Sequence, residues 1–241
     1  MTARGLSLSP RVENVRELKC VEVPVHFSSE EIMRHFDESM IQVREKFDIA
    51  NQLLNDGDVQ GCKYIWRTQV VFAESFLDYY LHEISKYCLY QMYCGSWHRS
   101  ERFDSIVVPI SRVDQAVSSS NGEWFFEFLN ERFSKDVFLS TESMKDQLNL
   151  IGIGFTEVME RLFPNGTQKD AVKRGRNLIN SLFSRRNEIV HQNDRSHATA
   201  MQNDIDREYA EKYLEDIEKV VHIIHDIVTN KDKDICSHVE E

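Results

Sequence analysis

The chain has no apolar run approaching the ~20 residues that a helix needs to cross a bilayer. Its opening stretch, Met1 to Pro10, carries an arginine but no apolar segment of the secretory kind. Neither a membrane span nor a leader is expected, and a cytoplasmic protein is. Cysteines are few and scattered. Cys20, Cys62, Cys88, Cys94 and Cys236 form no C-x-x-C pair, which sets aside a structural zinc and a redox dithiol and leaves reduced, mostly buried thiols. The H-E-x-x-H pattern is missing as well, because His82-Glu83 lacks its second histidine, and no cluster of carboxylates takes its place. His222 and His225 have a metal-like spacing but fall beside an apolar stripe among charged residues, as a solvated face does. No metal and no cofactor are therefore expected. Positive charge is also short. Lys and Arg number 29 against 40 Asp and Glu, a net charge of −11, so the average surface repels phosphate and a general nucleic-acid coat is excluded.

What is present is the composition of a globular domain, 41% hydrophobic and 29% charged, which rules out disorder throughout. Charge is uneven. Between residues 169 and 195, Lys169, Lys173, Arg174, Arg176, Arg185, Arg186 and Arg195 outnumber Asp170, Glu188 and Asp194. Any contact with RNA must come from this local patch.

Hydrophobic spacing reads as helix nearly everywhere. Residues 1–27 lack periodicity, and Pro24 disfavours helix before it, so they are expected to form an N-terminal arm. Ser28 and Glu31 have capping-box spacing. Behind them Ile32, Phe36, Met40, Val43, Phe47, Ala50 and Leu54 predict one amphipathic helix, stopped by Asn55-Asp-Gly57. A longer helix is predicted from about Val59 to Tyr93, ended by Gly95. Residues 96–121 break the pattern at Pro109 and at Ser118-Ser-Ser-Asn-Gly122 and are expected to form a loop-rich insertion. Short helices follow over 124–133, from 140–141 toward 151, and over 155–163. A helix from about Gln168 to Gln192 comes next, and a last one begins after Asp204 as its expected N-cap, with the stripe Ile205, Tyr209, Tyr213, Ile217, Val220, Ile224 and Ile227. The charged stretch 231–241 is expected to be a flexible tail. The fold class is all-α, with a single helical domain over 28–230.

Within the 168–192 helix one charge is misplaced. At about 100° per residue the apolar stripe runs through Ile179, Leu182, Phe183, Ile189 and Val190, and Arg186 falls in its middle. A guanidinium cannot shed its charge, so it must be paired, snorkel outward or face a polar cleft. Glu74 and Asp78, one turn apart on the 59–93 helix, are candidate partners. His191 lies about 140° around the helix from Arg186 and shares a stripe with Asn187 at i and i+4. Asn187 is thus placed to orient the imidazole. A histidine here also fits a simple cap or surface group. Arg186 can reach the same space from beside that stripe; alternatively the helix frays near His191, or a second chain brings a second set close.

Arg186-Asn-Glu-Ile-Val-His191 fits the R-x(4–6)-H signature of HEPN ribonucleases. Its flank, Phe183 to Asp194, resembles the RiboL-PSP branch of that superfamily, and Thr68 to His82 is similar to that branch's long helix. The resemblance covers roughly residues 60–228. It implies a HEPN-like helical bundle with long antiparallel helices, and metal-independent RNA cleavage with the ribose 2′-hydroxyl as nucleophile. In that reading His191 is base or acid, Arg186 binds the phosphorane, and Asn187 holds the histidine. Arg185, Arg195 and Arg176 extend the phosphate wall, and Glu74 and Asp78 support Arg186. Family members pair two HEPN domains, which implies a homodimer with a composite site, RNA as substrate, and a toxin, defence or stress role with a possible antitoxin. Where family toxins silenced by a nucleotidyltransferase often carry a tyrosine, two residues after the histidine, this chain has Asn193. A HEPN module that binds RNA or nucleotide, or only dimerises, is the alternative.

Overall fold

The computed structural model describes residues 25–118 and 122–239, with side chains through residue 233. The calls on residues 1–24 lie outside that range. No strand forms among the described residues, and one isolated antiparallel bridge joins Arg195 to Gln202. The expected all-α class holds.

The chain opens with α1 (Ser29–Arg44) and α2 (Lys46–Asn55). The capping box forms as expected: Ser28 Oγ accepts from the Glu31 amide at 3.2 Å, and Glu31 Oε2 accepts from the Ser28 amide at 2.9 Å. The predicted single helix is broken at Glu45, but that residue stays in the right-handed helical region, so the buried stripe from Ile32 to Ala50 continues across the break. α3 (Val59–Tyr93) is 35 residues long, about 52 Å, and forms the spine of the molecule. It packs against α1 and α2 on one flank.

The stretch expected to be loops is better ordered than the sequence implied. It holds a 3-10 turn (Phe103–Ser105) and α4 (Ile110–Ser118), which packs on α5 (Glu123–Phe133). Trp97 and Phe103 anchor it in the core, and the Trp97 indole donates to Asp232 at 3.0 Å. Pro109 marks the start of α4 rather than a loop, since proline suits the entry to a helix. Then come α6 (Thr141–Leu150), α7 (Phe155–Leu162), α8 (Gln168–Gln192) and α9 (Arg207–Val239).

The two longest helices, α3 and α9, run parallel: Glu74 meets Tyr213, Tyr80 meets His225 and Tyr87 meets Asp232. α8 and α1 run antiparallel to both: Arg67 meets Asp194 while Glu74 lies near Arg186, and Ser29 meets Asp232 while Arg44 meets Glu218. Two terminal expectations are corrected. Asp206, not Asp204, caps α9, accepting from the Tyr209 amide at 2.7 Å, while Asp204 pairs with Lys63 at 2.6 Å. The last helix also continues through the residues expected to be a tail. Lys231 donates to the Gly152 carbonyl at 2.6 Å, and Asp232 accepts from Tyr87, Trp97 and Ser29, which holds this end against α3.

α7 and α8 approach closely at Gly175. A Cβ built there would lie 1.9 Å from Met159 Sδ and 2.6 Å from its Cγ, both buried. Gly175→Ala is therefore expected to destabilise the fold by about 1–3 kcal/mol, the range of an overpacked core. Urea unfolding of the purified protein measures this, and an unchanged midpoint would show that Met159 moves aside freely.

Candidate active site

The site is built where α3, α8 and α9 converge. On α3, Arg67, Glu74 and Asp78 fall within about 40° of one another on the helical wheel. They form a polar seam on the edge that meets α8. α8 remains helical through Gln192 and ends with Asn193 in the left-handed region (φ 52°), followed by Asp194 (φ 55°). The Asp194 amide closes the end by donating to the Glu188 carbonyl at 2.8 Å. Since the helix does not fray before His191, one chain presents one arginine and one histidine, about 7.5 Å apart in rise.

Arg186 sits half-buried on the face that faces the core, as its wheel position predicted. It makes no ion pair among the described residues. Its Nη1 donates to Asn187 Oδ1 at 3.0 Å, and its buried Nε has no hydrogen-bond partner. Asn187 therefore engages the arginine, and the expected Asn187–His191 contact does not form. The amide of the adjacent residue reaches the guanidinium without a full helical turn between them. His191 is exposed in the last turn of α8, with its ring open to solvent.

The two expected supports of Arg186 separate. Asp78 Oδ1 accepts from the Phe138 amide at 2.8 Å and lies 3.8 Å from His82 Nε2, so it orders the loop before α6 and does not hold Arg186. Glu74 is close enough to Arg186 for their charges to interact, yet the two are not ion-paired. Its carboxyl is 1% exposed. Oε2 meets the Tyr213 hydroxyl at 3.2 Å, and Oε1 has no partner. Burial pushes this carboxyl up to about 8, against the opposing pull of the Tyr213 hydrogen bond and of the Arg186 charge, while Asp78 pushes it further up. At neutral pH Glu74 is mostly an uncharged acid.

Of the three arginines expected along a phosphate wall, Arg185 is withdrawn by a buried ion pair. Both of its terminal nitrogens meet Asp194, which is 0% exposed, and Arg67 Nε meets the same carboxylate at 2.5 Å. A guanidinium spent on a buried carboxylate is not free for phosphate, so the assignment of Arg185 is corrected. Arg176 pairs with Glu142 at 3.3 Å and lies about 15 Å up the helix from Arg186, outside the site. Arg195 is exposed beyond the helix end and donates to the Ala200 carbonyl at 2.8 Å. The structure thus gathers Arg186, Asn187 and Glu74, with His191 on the outer edge.

Sequence reasoning did not assign Arg67, Asp194 or Tyr213 to this region. Arg67 had a usable signal, since it shares the Glu74–Asp78 edge of α3. Tyr213 had none, because it reads as one more member of an apolar stripe. Between α8 and α9 a cleft of about 630 Å³ reaches Leu182 and Tyr213, and its lining carries the carboxylates of Asp206, Glu208, Glu211, Glu215 and Asp216 against the single lysine Lys212. So negative a lining disfavours phosphate, and His191 does not line it.

These features define an all-helical domain that carries an R-x4-H motif at the end of a helix. The RiboL-PSP-HEPN family model matches residues 41–230, most of the chain, and the protein belongs to that family. Comparison with curated proteins and with solved structures gave no match. Among the described residues no helix is long and apolar enough to cross a membrane.

Proposed function

We propose that this protein is an endoribonuclease that cleaves RNA by attack of the ribose 2′-hydroxyl, without a metal. The carrying observation is the pairing of fates at the end of α8: Arg186 keeps its charge and has no carboxylate partner, and His191 is exposed one helical turn beyond Asn187. A guanidinium left unpaired at the edge of the core is stabilised by an incoming phosphate, to which it can offer two parallel donors. In the reaction an imidazole takes the 2′-hydroxyl proton, the 2′-oxygen bonds to phosphorus, and the P–O5′ bond breaks. A second proton donor completes the 5′-hydroxyl, and Arg186 neutralises the pentacoordinate phosphate. One exposed imidazole serves one of these transfers well, so a second copy of the chain supplies the other set, and the working form is a homodimer. The setting is a cytoplasmic toxin, defence or stress system. Asn193 occupies the position of the tyrosine modified in some family toxins, so an antitoxin, if the protein has one, acts by another route.

A binding-only reading draws on the net charge of −11 and on the ion pairs that occupy Arg185 and Arg176. The deciding experiment incubates the purified protein with RNA, with and without EDTA, and maps the ends of the fragments. Expected are fragments ending in 2′,3′-cyclic phosphate, formed equally in EDTA. Bound but intact RNA would leave the binding module as the better description, and EDTA-sensitive cutting would sink the metal-free mechanism.

A further inference from the structure

Two buried polar atoms of opposite character are left idle on facing helices: Glu74 Oε1 of α3 and Arg186 Nε of α8. Idle buried donors and acceptors are rare, because each gives up its bonds to water without recompense. The two side chains are close enough for their charges to interact, so the lack of an ion pair between them needs a cause. The proton count supplies one. The Tyr213 hydroxyl lies 2.8 Å from the Leu182 carbonyl and 3.2 Å from Glu74 Oε2. A carbonyl only accepts, so the shorter contact takes the single tyrosine proton. Tyr213 keeps that proton at all ordinary pH, since burial pushes its hydroxyl far up. The remaining contact to Glu74 is then satisfied best when the carboxyl supplies its own hydrogen, that is, when Glu74 is a neutral acid donating to the tyrosine oxygen. A neutral acid has no charge with which to hold Arg186.

We infer that Glu74 is a positioning residue acting through Arg186: as a neutral acid bonded to Tyr213 it leaves the guanidinium free for a phosphate anion, and as a carboxylate it draws the guanidinium back. This deepens the reading of the same site and rests on it only for the identity of the anion. The step is a simple ionisation. The carboxyl O–H bond breaks, the proton passes to solvent, and the carboxylate so formed pairs with Arg186 through the two idle atoms.

The ionisable groups acting on Glu74 are Asp78 of its own helix, Arg186 of α8 and Tyr213 of α9. Asp78 disfavours the carboxylate, Arg186 favours it, and Tyr213, itself neutral, favours it through the hydrogen that its hydroxyl can turn toward Oε2. The sign is fixed by burial. The folded chain holds this proton up to about pH 8, whereas an unfolded chain releases it near the ordinary value of 4.5. Folding therefore takes up a proton between those values, and stability falls as pH rises through that window. The same rise engages the latch. An anion bound to Arg186 raises the affinity of Glu74 for its proton, so anion affinity drops with increasing pH by up to about tenfold for each unit of that shift.

The test uses the full chain and two readouts. The first follows the ¹⁵N–¹H signal of Arg186 Nε by NMR from about pH 6.5 to about pH 9.5 in wild type and in Glu74→Gln, which copies the neutral acid in shape. The wild-type signal is expected to move with a midpoint near pH 8, and the variant signal to stay fixed. The second measures binding of a fully 2′-O-methylated oligoribonucleotide, which cannot be cut, over the same range. Wild-type affinity is expected to fall about tenfold and that of Glu74→Gln to remain level. An Arg186 signal that ignores pH in wild type, or that moves equally in Glu74→Gln, overturns the latch, and the wild-type titration decides this even if the variant folds poorly. If the Arg186 signal moves as expected but the oligoribonucleotide does not bind, the latch stands and the RNA reading fails.

Discussion

Asp194→Ala is expected to cost the fold about 3–5 kcal/mol, the range for removing one partner of a buried ion pair. The carboxylate is 0% exposed and sits between two guanidiniums whose side chains are only 7% and 11% exposed, those of Arg67 and Arg185. Asn203 Nδ2 adds a donor at 3.2 Å, so every face of the carboxylate is used. Without it, Arg67 keeps the Asn203 carbonyl at 2.7 Å, and Arg185 keeps Glu188 and the Asp204 carbonyl, both at 3.3 Å. Neither set cancels two buried positive charges. Backbone strain adds to the loss, because position 194 has φ 55°, a region that aspartate and asparagine enter more readily than alanine. Asp194→Asn should consequently cost less than Asp194→Ala, since it keeps the local geometry and loses only the charge. Urea unfolding of both variants at neutral pH gives the comparison. A loss below about 1 kcal/mol for alanine would mean that solvent reaches the two arginines after all. The effect extends to the site, because this clamp fixes the chain reversal immediately after His191.

Arg185 and Arg186 are adjacent in the sequence and identical in chemistry, and their difference marks the limit of what the sequence discloses. Periodicity was enough to place Arg186 on the buried face, to place the helix ends at Gly95 and Gln192, and to find the cap at Ser28. Each depends on contacts within a turn or two. The fate of Arg185 depends on Asp194, nine residues away across a left-handed reversal, and on Arg67 of another helix. No local rule reports such a meeting. The same holds for Glu74, whose proton is retained because the core around it keeps water away, against the pull of a hydrogen bond from Tyr213 of α9. The missed helix α4 has a different cause. Its apolar residues Ile110, Val113 and Val117 have helical spacing but remain largely exposed, and the flanking proline and serines outweighed them. The family resemblance, carried by Arg186 and His191, agrees with the RiboL-PSP-HEPN match over residues 41–230, whereas the phosphate wall proposed beside that motif loses Arg185 and Arg176 to ion pairs.

Replacing Arg186 or His191 should separate function from stability in the opposite sense to Asp194. Arg186→Ala removes the charge opposed to the pentacoordinate phosphate, a loss of about 10²–10³ in cleavage rate, the range for deleting one transition-state donor. His191→Ala removes a proton carrier, worth about 10²–10⁴. Arg186→Lys keeps the charge but not the fork, and should recover only part of the loss. None of the three should cost the fold more than about 1 kcal/mol, because Arg186 has no ion pair to lose and His191 is exposed. Single-turnover cleavage of a defined RNA, with urea unfolding of the same preparations, checks both halves. Full cleavage by either alanine variant would remove the nuclease mechanism, and a large loss of stability would show that the guanidinium is structural instead. Mixing the two alanine variants adds the decisive comparison for the dimer. If two chains line one cleft, a mixed dimer still contains one intact Arg186 and one intact His191, and cleavage should exceed that of either variant alone. Chains that act singly cannot complement one another, and the mixture would then be no more active than its parts.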